Sequence, residues 1–234
     1  MTQPEAARPP QSKLILWALY PLIYPVLIVG ISGNWRWLEG WIFGGWFATF
    51  CIGTILYLYF KDPALLAERA RMPGSSDQPK WDKVFTGAIF ILFLAWFVLM
   101  PLDAVRFHWS PVFPMWLNVV GGLLLVPGAF FMFRALADNP FASGMVRIQE
   151  ERKQRVVSSG VYGHVRHPMY LGAVCMLSGA PLLLGSTVGF VVSVLSVAIL
   201  VSRILGEERL LVDQLDGYAD YRAKVRHRLI PGIW

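Results

Sequence analysis

Residues 160–208 read G-V-Y-G-H-V-R-H-P-M-Y-L-G-A-V-C-M-L-S-G-A-P-L-L-L-G-S-T-V-G-F-V-V-S-V-L-S-V-A-I-L-V-S-R-I-L-G-E-E, two apolar runs held between two polar clusters. Pro168 biases His167 towards extended backbone and suits a first helical position, so a helix begins there. The N–H groups of Met169, Tyr170 and Leu171 then lack intrahelical partners and favour an anion nearby. The runs meet at residues 185–187, so the start of one and the end of the other lie together. Arg203 and Glu207 are four residues apart and share a helix face, while Glu208 turns about 100° away. His167, Tyr170, Arg203 and Glu207 should therefore converge on one surface.

Composition places that surface at a membrane. Of 234 residues, 56% are hydrophobic and 15% charged, with ten tryptophans and a mean hydropathy of +0.51. A soluble domain carries about 25% charged residues. Six apolar segments can be read, at 14–31, 38–60, 84–102, 115–137, 169–185 and 187–205. A span needs about 20 residues, so the fifth is short and the others qualify. The expected fold is all-α: a polytopic membrane protein of about six transmembrane helices, with segments five and six as a tight hairpin. Residues 1–137 form a four-helix membrane region, and 138–234 a region carrying the pocket. Pro21, Pro25 and Pro127 predict kinks, and glycines 44, 45, 53, 121, 122 and 128 predict close helix contacts.

The net charge of +6 is spread in a way that suits topology rather than nucleic acid. Arg36 and Arg106 are the only basic residues in the short loops after the first and third segments, and the tip at Gly185 and Ser186 has none. The positive-inside rule then puts both termini and the pocket in the cytoplasm. The second loop, 61–83, reads as an interfacial helix and a Gly/Ser turn, with Trp81 at headgroup depth and no assigned chemistry. Cys51 and Cys175 lie within apolar runs and read as small buried hydrophobes. The sequence sets no oligomeric state.

The chain has no H-E-x-x-H, C-x-x-C, P-loop or G-x-S-x-G motif, and His108, His164, His167 and His227 are scattered, so no metal site is expected. A carboxylate, free helix-start N–H groups, aromatic rings and an arginine suit a ligand with a ribose, a flat base and a charged amino acid.

From Gln149 through V-V-S-S-G-V-Y-G-H-V-R-H-P-M-Y-L-G, then R-x-x-x-E-E, Y-A-D-Y-R and a closing R-L-I-P-G-I-W, the chain resembles the isoprenylcysteine carboxyl methyltransferase family. Phospholipid N-methyltransferases share the R-H-P-x-Y and E-E pattern. The resemblance implies an integral membrane, S-adenosylmethionine-dependent methyltransferase without a Rossmann domain. By matching position it implies a cofactor pocket of Gln149, Gln154, Arg155, Val156, Val157, Tyr162, His167, Pro168, Met169, Tyr170, Glu207 and Glu208. Arg203 falls on the substrate-side, catalytic arginine. The implied acceptor is lipophilic, a small molecule or a prenylated substrate drawn from the membrane lipid phase. Two other enzymes share parts of this pattern: an amine methyltransferase acting on a phospholipid headgroup, and an NADPH-dependent sterol reductase. A helical scaffold or transporter subunit is the reading that assigns no chemistry.

Overall fold

The structure, a computed structural model, describes residues 9–71, 74 and 77–234. The polar N-terminal stretch up to Arg8, and Met72, Pro73, Ser75 and Ser76 of the expected Gly/Ser turn, lie outside the described residues. Among the described residues every regular element is helical. The order is α1 Gln11–Leu19, α2 Ile23–Ser32, α3 Leu38–Lys61, α4 Pro63–Arg69, α5 Lys80–Pro101, α6 Met115–Asp138, α7 Pro168–Leu184, α8 Thr187–Gln214 and α9 Tyr218–Lys224.

Five stretches are long and apolar enough to cross a membrane: Gln11–Ser32, Leu38–Lys61, Lys80–Arg106, Met115–Asp138 and Thr187–Gln214. The shorter α7, with 17 residues, rises about 25 Å, less than a ~30 Å hydrocarbon core. Val119, Leu123, Val126 and Phe130 recur every three or four residues on α6 and are all more than half exposed. Such a stripe facing outward is stable only where lipid replaces water.

Proline shapes the helices as expected, with one exception. At Pro21 the first segment turns into a 3-10 turn over Tyr20–Leu22 before α2 resumes, a local interruption rather than a kink. Pro127 is accommodated inside α6. Pro101 ends α5 in a π-helical turn, Leu102–Arg106.

Glycine sets the closest helix packing, and it does so between α6 and α7. A Cβ on Gly121 would strike the backbone of Leu183 and Gly179, and one on Gly128 would lie 2.8 Å from Met176 Cγ. Gly172 packs reciprocally on Met132 and Gly128. Small residues let the two backbones approach where lipid offers no hydrophobic drive to associate. Segments five and six are joined tightly, by Gly185 at φ +77° and by Ser186, whose hydroxyl accepts from the Gly189 N–H at 2.8 Å. α7 nevertheless lies closest to α6, and α8 is tied to α5 by the Trp96 Nε1–H donating to Ser193 Oγ at 2.8 Å. Gly44 abuts Pro25 as expected, whereas Gly45 and Gly53 meet nothing and Gly122 makes only an ordinary 3.8 Å contact.

At the end of the bundle carrying the Gly185 turn, Asp103 is fully buried. Its Oδ2 accepts from Ser186 Oγ at 2.6 Å, Ser110 Oγ at 2.7 Å and the Val188 N–H at 3.0 Å. One carboxylate thus joins the end of α5, the following loop and the start of α8. Removing it strands the buried Ser186 hydroxyl, at a cost of about 1–3 kcal/mol, and unpairs two part-buried donors, Ser110 and the Val188 N–H. Asp103→Ala is expected to lower the melting temperature in detergent by several degrees, with Asp103→Asn recovering most of the loss, as read by intrinsic fluorescence.

Candidate functional site

At the opposite end, α5, α6, α7 and α8 leave a cavity of about 380 Å³, within the range of small-molecule sites. Its inner wall is apolar, from Ile89 on α5, Met132 on α6, Ala173 on α7 and Leu200 on α8. Its rim is polar and comes from the loop between α6 and α7. Arg203 and Glu207, one turn apart on α8, both face it. The Tyr170 hydroxyl, in the first turn of α7, donates to Glu207 Oε2 at 2.7 Å. The convergence of His167, Tyr170, Arg203 and Glu207 follows from the reversal at Gly185, as the spacing implied. Of the unpaired N–H groups expected at the start of α7, Leu171 differs: its N–H donates to the His167 carbonyl at 3.1 Å.

Gln154, Arg155, Val156, Val157, Tyr162, Pro168 and Met169 also line the cavity. Gln149 and Glu208 do not, and both depart from the expected cofactor set. Gln149 is fully buried, its Nε2 donating to the Phe141 carbonyl and its Oε1 accepting from Arg152, so it shapes the loop behind the wall. Glu208 lies behind the lining, against the cavity residues Arg166 and His167. There its Oε1 accepts from Arg166 Nε at 2.6 Å and lies 3.2 Å from His167 Nε2, and its Oε2 accepts from Arg228 Nε at 2.9 Å.

This knot also holds the C-terminal tail. The N–H groups of Arg166 and His167 donate to the carbonyls of His227 and Arg228, and Arg228 stacks over Trp234 at 5.1 Å. The Tyr221 hydroxyl donates to the Tyr162 carbonyl at 2.8 Å. Gly160, at φ +58°, sits so close to Asp138 that any Cβ would collide with the carboxylate, which accepts from the Val161 N–H at 3.0 Å. Only glycine meets both demands.

The second loop contributes more than the sequence reading assigned to it, so the cavity is not confined to residues 138–234. Asp82, fully buried on α5, accepts from Arg203 Nε at 2.8 Å, Gln78 Nε2 at 2.7 Å and the Val146 N–H at 2.9 Å. Arg203 Nη2 donates to the Gly144 carbonyl at 2.8 Å. Two of its three nitrogens are thereby taken, leaving Nη1 for a ligand. Trp81 packs against Gly206, where a Cβ would lie 2.9 Å from the indole. Arg147 joins both loops, through Glu68 at 2.8 Å, Asp77 at 3.0 Å and Glu151 at 2.6 Å. Asp82 was legible by the rule that marked Arg203, an ionisable residue at the edge of a span. Its place in the first turn of α5 hid it, because an acid there is also good helix-dipole chemistry.

The comparisons with known proteins bear on this region. Residues 130–213 match the isoprenylcysteine carboxyl methyltransferase (ICMT) family. The match spans a little over a third of the chain, from the last turns of α6 through the rim loop and α7 to Asp213 near the end of α8. It includes every expected site residue, while Arg69, Asp82 and Glu68 lie outside it. No curated protein matches the chain. The ICMT-family match, with the five apolar helices, supports a membrane methyltransferase.

Electrostatics sorts the polar groups around the cavity. Burial pushes the phenols of Tyr162, Tyr218 and Tyr221 well above their ordinary range, so they stay neutral and serve as walls and donors rather than bases. Burial by itself would raise the Glu68 carboxyl, but hydrogen bonds from Arg147 and Ser143 outweigh it and hold the carboxyl below its ordinary value. Stability from such a group is complete above its unfolded value, about 4.3, and is lost as pH falls through the lowered folded value. Acidification below about pH 4 should therefore lower the protection of residues 139–157, their amide hydrogen exchange becoming faster relative to its intrinsic rate at that pH. Glu68→Gln should show the faster exchange already at neutral pH.

Proposed function

We propose that the chain is an S-adenosylmethionine-dependent methyltransferase of the membrane, whose acceptor is a lipophilic carboxylate of the isoprenylcysteine kind. The observation that carries this reading is the cavity's two-sided lining. A polar rim with Glu207 and Tyr170 faces the loops, and an apolar wall reaches Ile89 and Leu200 between the helices. A water-soluble donor and a lipid-borne acceptor suit the two sides. The basic loops and the C-terminal segment share the cavity's end, which supports a cytoplasmic opening and cytoplasmic termini in a multi-pass protein.

The donor residues fit S-adenosylmethionine. Glu207 is acceptor-only when ionised and suits ribose hydroxyls or an ammonium. Val156, Val157 and Tyr218 offer flat apolar surface for a base. When bound, the cofactor supplies a methyl group on an electrophilic sulfonium. An ionised carboxylate needs no general base to accept it, so the protein's work is alignment and exclusion of water. Arg203, held by Asp82 and the Gly144 carbonyl, keeps one orientation and offers Nη1 to the acceptor. An amine acceptor would need a base or a lowered pKa. The buried tyrosines stay protonated and are no base, and the arginines of the lining attract an acid rather than an ammonium, which favours the carboxylate.

Thermal shift with purified protein tests the cofactor class: S-adenosylhomocysteine should raise the melting temperature and NADPH should not. Arg203→Ala should abolish methyl transfer to a prenylcysteine while leaving the affinity for S-adenosylhomocysteine within about threefold, measured by isothermal titration; a tenfold loss, about 1.4 kcal/mol, would make Arg203 a cofactor residue instead.

A further inference from the structure

The arginines lining the cavity differ in what already holds them. Arg147 faces Glu68 at 2.8 Å, Arg166 faces Glu208 at 2.6 Å and Arg203 faces Asp82 at 2.8 Å. Arg155 is exposed at the rim. Arg69, at the end of α4, fits neither description. It is half-buried and lines the cavity beside Arg203, Tyr162 and Tyr170. Its Nη1 lies 3.4 Å from the Ala142 carbonyl and 3.6 Å from Met169 Sδ. Among the described residues, no carboxylate comes within 4.0 Å of it.

Both of its contacts are long, and neither carries a charge. Burial lowers the proton affinity of this guanidinium, and the charge of Arg203 acts in the same direction. A cation withdrawn from water beside a second cation is costly unless an anion joins it. Among the described residues, Arg147, Arg166 and Arg203 each face a carboxylate and Arg69 faces none. We infer that Arg69 is a second anion-binding residue of the cavity, besides Arg203, and that its guanidinium takes the carboxylate of a bound ligand. Its planar fork grips a carboxylate through two nitrogens, whereas Arg203 has only Nη1 left to offer. Ala142 and Met169, which Arg69 touches, belong to the rim loop and the start of α7, so a ligand there would also seal α4 against both.

The inference rests on the methyltransferase reading for the source of the carboxylate, either the amino-acid end of the methyl donor or the acceptor. The test uses the full chain in detergent as wild type, Arg69→Gln and Arg69→Lys. Isothermal titration compares S-adenosylhomocysteine with its decarboxylated analogue, and an S-prenylated N-acetylcysteine with its methyl ester. In the wild type, one carboxylate-bearing ligand should bind about tenfold or more tightly than its carboxylate-free counterpart. Arg69→Gln should erase that difference by weakening the acid alone, and Arg69→Lys should restore part of it. The pair that responds identifies the source. Equal binding within both pairs in the wild type overturns the inference without any variant, as does an Arg69→Gln protein that keeps the preference. If wild type binds S-adenosylhomocysteine but neither pair shows a preference, only this inference fails. If it binds no adenosyl ligand at all, the proposed function fails with it.

Discussion

One buried carboxylate organises the cavity end of this protein. Glu208 collects Arg166, His167 and Arg228 within 3.2 Å, and so fastens the loop before α7, the body of α8 and the C-terminal tail at one point. A buried ion cluster of this kind adds little net stability over an apolar core, but losing one partner leaves the others uncompensated. Its value lies in geometry. With Glu208 turned into the knot, the helical repeat turns Glu207 about 100° away, into the cavity, where it meets Tyr170.

Around that point the molecule separates what is rigid from what is polar. The glycine-packed pair α6 and α7 brings backbone against backbone, so the cavity's inner wall has little freedom to shift. The polar rim is held by arginines, each answered by a carboxylate on a different element: Arg147 by Glu68, Arg203 by Asp82, Arg166 by Glu208. At the far end Asp103 fixes the Gly185 turn, about 30 Å away along α8, and so keeps the two helix ends that carry Tyr170 and Glu207 in register.

Much of this was legible in the sequence because it depends on local spacing. Long apolar runs located the spanning helices, and the short reversal after Leu184 brought Tyr170 and Glu207 together. The four-residue interval placed Arg203 and Glu207 on one face. What stayed hidden depends on distant partners. Asp82 and Arg203 are 121 residues apart, and Glu68 and Arg147 are 79 apart, so neither loop alone reveals the pair. Gln149 and Glu208 share the motif of the cavity residues, yet each sits behind the lining, bonded to the lining residues Phe141 and Arg166. Similarly, Gly45 and Gly128 look alike in an apolar run, and only the opposing helix makes one of them necessary.

The central claim is that two adjacent carboxylates carry separate duties, Glu208 holding the fold and Glu207 serving the cavity. Thermal unfolding of Glu207→Gln and Glu208→Gln, each with and without S-adenosylhomocysteine, tests it most directly. Breaking a buried ion cluster costs about 3–5 kcal/mol, so Glu208→Gln should melt about 10 °C below wild type yet still be stabilised by the ligand. Glu207→Gln should melt near wild type and lose that stabilisation. The account is contradicted if the two variants melt alike, or if Glu208→Gln keeps its melting temperature and loses the ligand's effect.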